Sequence, residues 1–163
     1  MIADQIRRLF TYNTWAWQHV FVGIEQLDTA AYHAERPIFH GSLHGLLVHA
    51  LSAEHLWYER CRGNNPEQVF DPAAFADFSA VRARWGPVRH SWANYLQWLD
   101  DEACKQFVDY RTTDGAPYSM RLLDILQHVV NHATEHRSQM TLLLFQLGIS
   151  TMPIDYARFR TRL

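Results

Sequence analysis

Leu122-Leu123-Asp124-Ile125-Leu126-Gln127-His128-Val129-Val130-Asn131-His132-Ala133-Thr134-Glu135-His136-Arg137-Ser138-Gln139-Met140-Thr141-Leu142-Leu143-Leu144-Phe145-Gln146-Leu147-Gly148 is the stretch on which the fold turns. Leu122, Leu126, Val129, Ala133, His136, Met140, Leu143 and Leu147 recur by fours and threes, the period of one helical stripe facing a core. The spacing predicts a long helix that begins near Ser119 and stops at Gly148, a residue suited to the position just past a helix end. A histidine occupies the centre of this apolar stripe. At about 100° per residue, His132 lies roughly 60° from the stripe and His128 roughly 100° from it.

Working outward, the same period appears in three further segments. Ile6, Phe10, Asn13, Trp17, Val20, Ile24 and Leu27 form a seam broken by one polar residue, Asn13, which is expected to hydrogen-bond a neighbouring helix. Ser42 is a plausible N-cap after a linker around Pro37 and Gly41, and the helix it opens should run to Gly63, before Asn64-Asn65-Pro66. Val81, Trp85, Val88, Trp92, Tyr95 and Leu99 mark a third segment over residues 77–106, with a kink or a fresh start expected at Gly86-Pro87. Residues 107–118 mix β-branched, aromatic and turn residues, so an extended connection or short hairpin is expected there, and a short helix after Pro153-Ile154-Asp155. The reading is all-α: a four-helix bundle in a single domain over residues 1–163, with a long connection between the third and fourth helices and a short C-terminal helix.

Composition narrows the function classes. The chain has 163 residues, of which 48% are hydrophobic, 20% charged and 13% aromatic, with six Trp. That length buries a substantial core without disulfides. Fifteen Lys and Arg against 17 Asp and Glu give a net charge of −2, so no general basic excess favours nucleic acid. Arg158, Arg160 and Arg162 read as a solvated basic tail. The two cysteines, Cys61 and Cys104, are too far apart for a paired metal or redox motif. No charged-then-apolar leader and no membrane-length apolar run stands out, so a cytoplasmic protein with no membrane partner is expected.

The chemistry concentrates in the histidines. Residues four apart share a helix face about 6 Å apart along the axis, so His132 and His136 can converge on one ion, whereas His128 and His136, about 12 Å apart, cannot. Two imidazoles desolvated side by side need partners for four ring nitrogens, and a metal ion satisfies one on each ring. A lone seam histidine is more often simply hydrogen-bonded; an inward pair with a third ring in reach is the pattern of a site. On the second helix, His49 shares its arc with Leu46, Ala53 and Leu56, while His44 and His55 point to the polar side. His49 is therefore the expected third ligand, leaving an open position for water or substrate. Glu54 reads as a solvated surface carboxylate, and Trp15, Trp17, Trp57 and Tyr12 as core aromatics or the lining of a nearby pocket. His132-Ala133-Thr134-Glu135-His136 also fits the pattern of inverted zinc peptidases, but Glu135 points roughly 120° from the seam and Asp155 is the only carboxylate side chain after His136.

Over nearly its whole length the chain resembles the DinB/YfiT-like family of bacterial metalloenzymes. The resemblance rests on Tyr12-Asn13-Thr14-Trp15, on His49-Ala50-Leu51-Ser52-Ala53-Glu54 with Trp57, on His128-Val129-Val130-Asn131-His132 with His136-Arg137-Ser138-Gln139, and on Leu147-Gly148 followed by Pro153 and Asp155. Ser138 stands where the family's signature has Gly, a departure that bears on local packing rather than on ligation. The resemblance implies a four-helix bundle, commonly a homodimer, with one divalent ion held by His49, His132 and His136. Three imidazoles suit Zn²⁺, Ni²⁺ and Fe²⁺ alike. It also implies a small-molecule substrate, and the first functional expectation is transfer of a low-molecular-weight thiol to an electrophile, the ion favouring the thiolate. The alternatives are metal-dependent hydrolysis and a non-catalytic, stress-associated metal-binding protein.

Overall fold

The seam of the first segment is buried as its period requires. In a computed structural model that describes residues 1–161, α1 (Ile2–Ile24) turns Ile6, Phe10, Asn13, Trp17, Val20 and Ile24 inward. Arg162, the last residue of the expected basic tail, lies outside the described residues. A short α2 (Thr29–His33), capped by the Asp28 side chain, precedes α3 (Leu43–Cys61). Ser42 caps α3 as expected, its hydroxyl accepting from the Gly45 N–H at 2.9 Å.

α4 (Phe78–Gln97) begins at the Asp77 cap and runs through Gly86-Pro87 without a break. Both residues are exposed, so the proline ring faces solvent. The helix ends at Gln97, earlier than the expected 106, and a turn at 103–105 leads to a hairpin of β1 (Phe107–Arg111) and β2 (Pro117–Arg121). The strands pair antiparallel with Tyr110 opposite Tyr118. Ser119, expected near the start of the last long helix, is a strand residue here. α5 (Leu122–Gln146) starts three residues later and stops at Gly148 with φ 81°, where Ile149 N–H returns to the Leu144 carbonyl at 2.9 Å. α6 (Tyr156–Arg160) follows its Asp155 cap.

The result is the four-helix bundle expected from the periodicity, with the hairpin as the long connection and α6 as the short last helix. α5 packs against α1 and α3, and α4 against α3 and α1, so the order around the bundle is α1, α5, α3, α4. One apolar cluster runs through all four, with Trp17 and Trp85 fully buried at its centre. Among the described residues no helix is long and apolar enough to cross a membrane.

A candidate metal centre between two helices

α5 presents His132 and His136 toward α3, where His49 meets them. One ligand atom from each of the three rings lies within 4.8 Å of the others. His132 Nε2 and His136 Nε2 stand 3.0 Å apart. Metal–nitrogen bonds of about 2.0–2.1 Å hold neighbouring imidazole nitrogens roughly 2.9–3.4 Å apart, so this pair is already at ligating separation. His136 Nδ1 lies 2.9 Å from Gln139 Oε1, which as an acceptor keeps the ring proton on Nδ1 and the Nε2 lone pair free. Without an ion, His132 could donate to that lone pair. Among the described residues His49 has no such partner, although its ring is half-buried among the others. A divalent cation completes all three rings at once, which fits the donor set.

Electrostatics favour the ligating, neutral form. Burial, then the neighbouring His40 and His136, pulls His49 down to about 4. Burial, then the surrounding histidines, pulls His132 down to about 3. Both rings therefore offer lone pairs at neutral pH.

His128 is not part of the trio. It is exposed, stacks edge-on against Trp57 at 5.0 Å, and stands beside His132. Glu135 is exposed as well, away from the rings. Ser138 also faces solvent, donating to the Thr134 carbonyl, so the departure from Gly meets no neighbouring helix.

The structure adds a residue that sequence reading passed over. His40 stacks on His49 with ring centroids 3.9 Å apart. It arrives on a tight loop in which His40 and Gly41 both adopt positive φ, 68° and 72°. The loop presses on the first turn of α3 so closely that a Cβ at position 45 would collide with the His40 carbonyl. Gly45 inside a helical turn was the available signal for that contact. Next to the trio, Gln139 also lines a cavity of about 410 Å³ walled by Ile38, Phe39, Leu142 and Leu143, with Arg36 at its edge.

Two expectations about the second helix are corrected. Glu54 is buried, 5% exposed, and solvates nothing. Its Oε1 accepts from Asn13 Nδ2 at 2.8 Å and Trp17 Nε1 at 3.1 Å, and its Oε2 from Trp85 Nε1 at 2.9 Å. Asn13 in turn accepts from Arg137, a wholly buried guanidinium that also donates to Thr134 Oγ1. Asn13 thus makes the interhelical hydrogen bonds expected of it, and Arg137, next to His136, locks the rotation of α5 about the seam. His44 is buried too, its ring nitrogens 3.1 Å from Tyr32 Oη and 2.9 Å from the Pro72 carbonyl oxygen. The unforeseen α2 and the turn at 72–74 cover the face that looked polar. His55 is half-buried and stacks on Phe70. Of the aromatics, Tyr12 and Trp17 are core, and Trp57 lies against His128 and Tyr110. Neither cysteine is disposed to be a thiolate: burial raises Cys61 to about 12 and also raises Cys104.

Comparisons with known proteins agree with this architecture. The model of the DinB family matches residues 1–162. Protein DinB of Bacillus subtilis (strain 168) is 24% identical over 165 residues, covering 97% of this chain and 95% of that protein. Among solved structures, Bacillus subtilis YfiT superposes with a TM-score of 0.69 at 16% identity, over 90% of each chain, and is described as a probable metal-dependent hydrolase with an unusual four-helix bundle topology. A DinB-like protein from Bacillus cereus ATCC 10987 superposes with a TM-score of 0.63 at 17% identity, over 92% of this chain and 95% of that one.

Proposed function

Since the chain belongs to the DinB family, we propose that it is a divalent-metal-dependent enzyme acting on a small molecule, with His49, His132 and His136 as ligands and hydrolysis as the reaction. The observation that carries this reading is the convergence of three ring nitrogens within 4.8 Å, two of them at ligating separation. Three protein ligands leave a position open, the arrangement of catalytic rather than closed structural sites. A divalent ion bound there supplies Lewis acidity, which polarises a carbonyl or phosphoryl oxygen and makes water acidic near neutral pH.

The remaining work falls to side chains. Gln139 holds the His136 proton at Nδ1, fixing the ligating tautomer. His40 lies against His49 on the exposed side, where it is placed to take a proton during attack on the substrate. The cavity that shares Gln139 with the centre suits the apolar part of the substrate, with Arg36 at its rim.

Hydrolysis is put ahead of thiol transfer because the description of YfiT supports it. Thiol transfer, first on the sequence alone, draws no support from the comparisons. The test is one panel with two arms. Metal-loaded protein is offered ester, amide and phosphoester substrates in one arm, and low-molecular-weight thiols with electrophiles in the other. Hydrolytic turnover that disappears on chelation and in His132→Ala supports the proposal. Turnover in the thiol arm alone would transfer the site to that chemistry, and none in either arm, with chelation costing only stability, would make the protein a non-catalytic metal binder.

A further inference from the structure

A second cavity, of about 720 Å³, opens between α1 and α4, with Phe159 of α6 at one side. None of the three candidate metal ligands lines it. Its walls are aromatic, with Phe10, Trp15, Trp92 and Phe159, and its volume is that of a small-ligand pocket, roughly 300–1,000 Å³.

The unusual member of the lining is Arg89. Its guanidinium lies 5.0 Å from the Phe21 ring centroid and 5.5 Å from that of Trp85, and its Nη2 has no hydrogen-bond partner among the described residues. Nη2 is also closed off from solvent. An arginine normally satisfies its fork of donors, and a buried donor left alone is costly. The other charges nearby are spoken for. Arg7 gives Nη1 to the Leu96 and Leu99 carbonyls and Nη2 to Asp4. Glu54, the one carboxylate lining the cavity among the described residues, has both oxygens occupied by Asn13, Trp17 and Trp85. Glu54 acts on both Arg89 and Arg137 through its charge without pairing with either, so among the described residues one positive charge is left over beside this pocket.

We propose that this cavity binds a small organic carboxylate with an aromatic or branched apolar body, its carboxylate on the Arg89 guanidinium and its body among Phe10, Trp15 and Trp92. A planar carboxylate can accept from the other N–H groups of the guanidinium, leaving the closed-off Nη2 aside, and its charge offsets that of Arg89. The site is independent of the metal centre and of the reaction assigned to it.

Benzoate is the probe, titrated into the full chain while the tryptophan indole N–H signals are followed by NMR. Saturable shifts should appear at Trp15 and Trp92 and leave Trp57, which lies against His128, unmoved. Benzamide, of the same shape but uncharged, should bind at least about tenfold more weakly, and Arg89→Met should weaken benzoate by a similar factor. Ala93 is exposed at the cavity wall, so Ala93→Trp fills the space without disturbing the core and should also abolish the shifts. Absence of a saturable shift would overturn the proposal. So would equal benzoate binding in both variants, or shifts centred on Trp57, which would place the anion at the histidines.

Discussion

Replacing Glu54 by glutamine should cost this protein about 4 kcal/mol while barely changing the shape of its core. The carboxylate accepts from three buried donors, Asn13 Nδ2, Trp17 Nε1 and Trp85 Nε1, at 2.8, 3.1 and 2.9 Å. A glutamine has one oxygen for them, so its amide group must face at least one N–H with no acceptor between. Each buried donor orphaned in this way costs about 1–3 kcal/mol. Loss of the negative charge also removes the carboxylate whose field favours the buried Arg137 and the half-buried Arg89, a cost that reaches about 3–5 kcal/mol at most, the value for breaking a direct buried pair. The two penalties overlap, because the same network carries both, so about 4 kcal/mol is the expected total. At roughly 2–4 °C per kcal/mol for a chain of this size, the melting temperature should fall by about 8–16 °C. Urea unfolding of the metal-free protein, followed by far-UV circular dichroism, measures the change. A loss below about 1 kcal/mol would refute the argument that Glu54 is the electrostatic keystone between α1, α3, α4 and α5.

Three further outcomes are expected. Gln139→Ala should weaken metal binding by about 10–100-fold without loss of fold, because His136 then loses the partner that fixes its tautomer; unchanged affinity by competition with a chelator would contradict this. Stability of the metal-free protein should fall as pH drops below about 6.5 and go on falling towards pH 3, because the unfolded chain protonates His49 and His132 near 6.5 while the folded one resists down to about 4 and 3. Urea midpoints between pH 7 and 5 should therefore decline, less steeply in His49→Gln with His132→Gln, and identical slopes would remove the histidines as the cause. His40→Ala should leave metal stoichiometry intact and lower kcat on any substrate found; loss of the ion instead would show that His40 holds metal.

The stripe of α5 was legible because one apolar face of a long helix carries its own period, and His136 sits in the middle of it. The trio followed from the same face geometry, since His49 occupies the corresponding arc of α3. What stayed hidden depended on elements too short or too irregular to announce themselves. α2 is five residues long and leaves no periodic signature, yet it turns the supposedly polar flank of α3 into an interior and buries His44. Glu54 looked solvated for a related reason: α3 is packed on several sides, so its buried arc is wider than one stripe. Its partners lie on two other helices, 41, 37 and 31 residues away, beyond any local pattern. His40 escaped because stacking on His49 needs a backbone with two consecutive positive φ values, of which only Gly41 and Gly45 gave a hint.

Elemental analysis of the purified protein and four single variants tests the central claim most directly. Protein made without added metal, then equilibrated with Zn²⁺ or Ni²⁺ and freed of excess, should hold one ion per chain. His49→Ala, His132→Ala and His136→Ala should each lose most of it, while His128→Ala keeps it. Equal retention in all four variants, or no ion in the parent protein, would contradict the three-histidine centre.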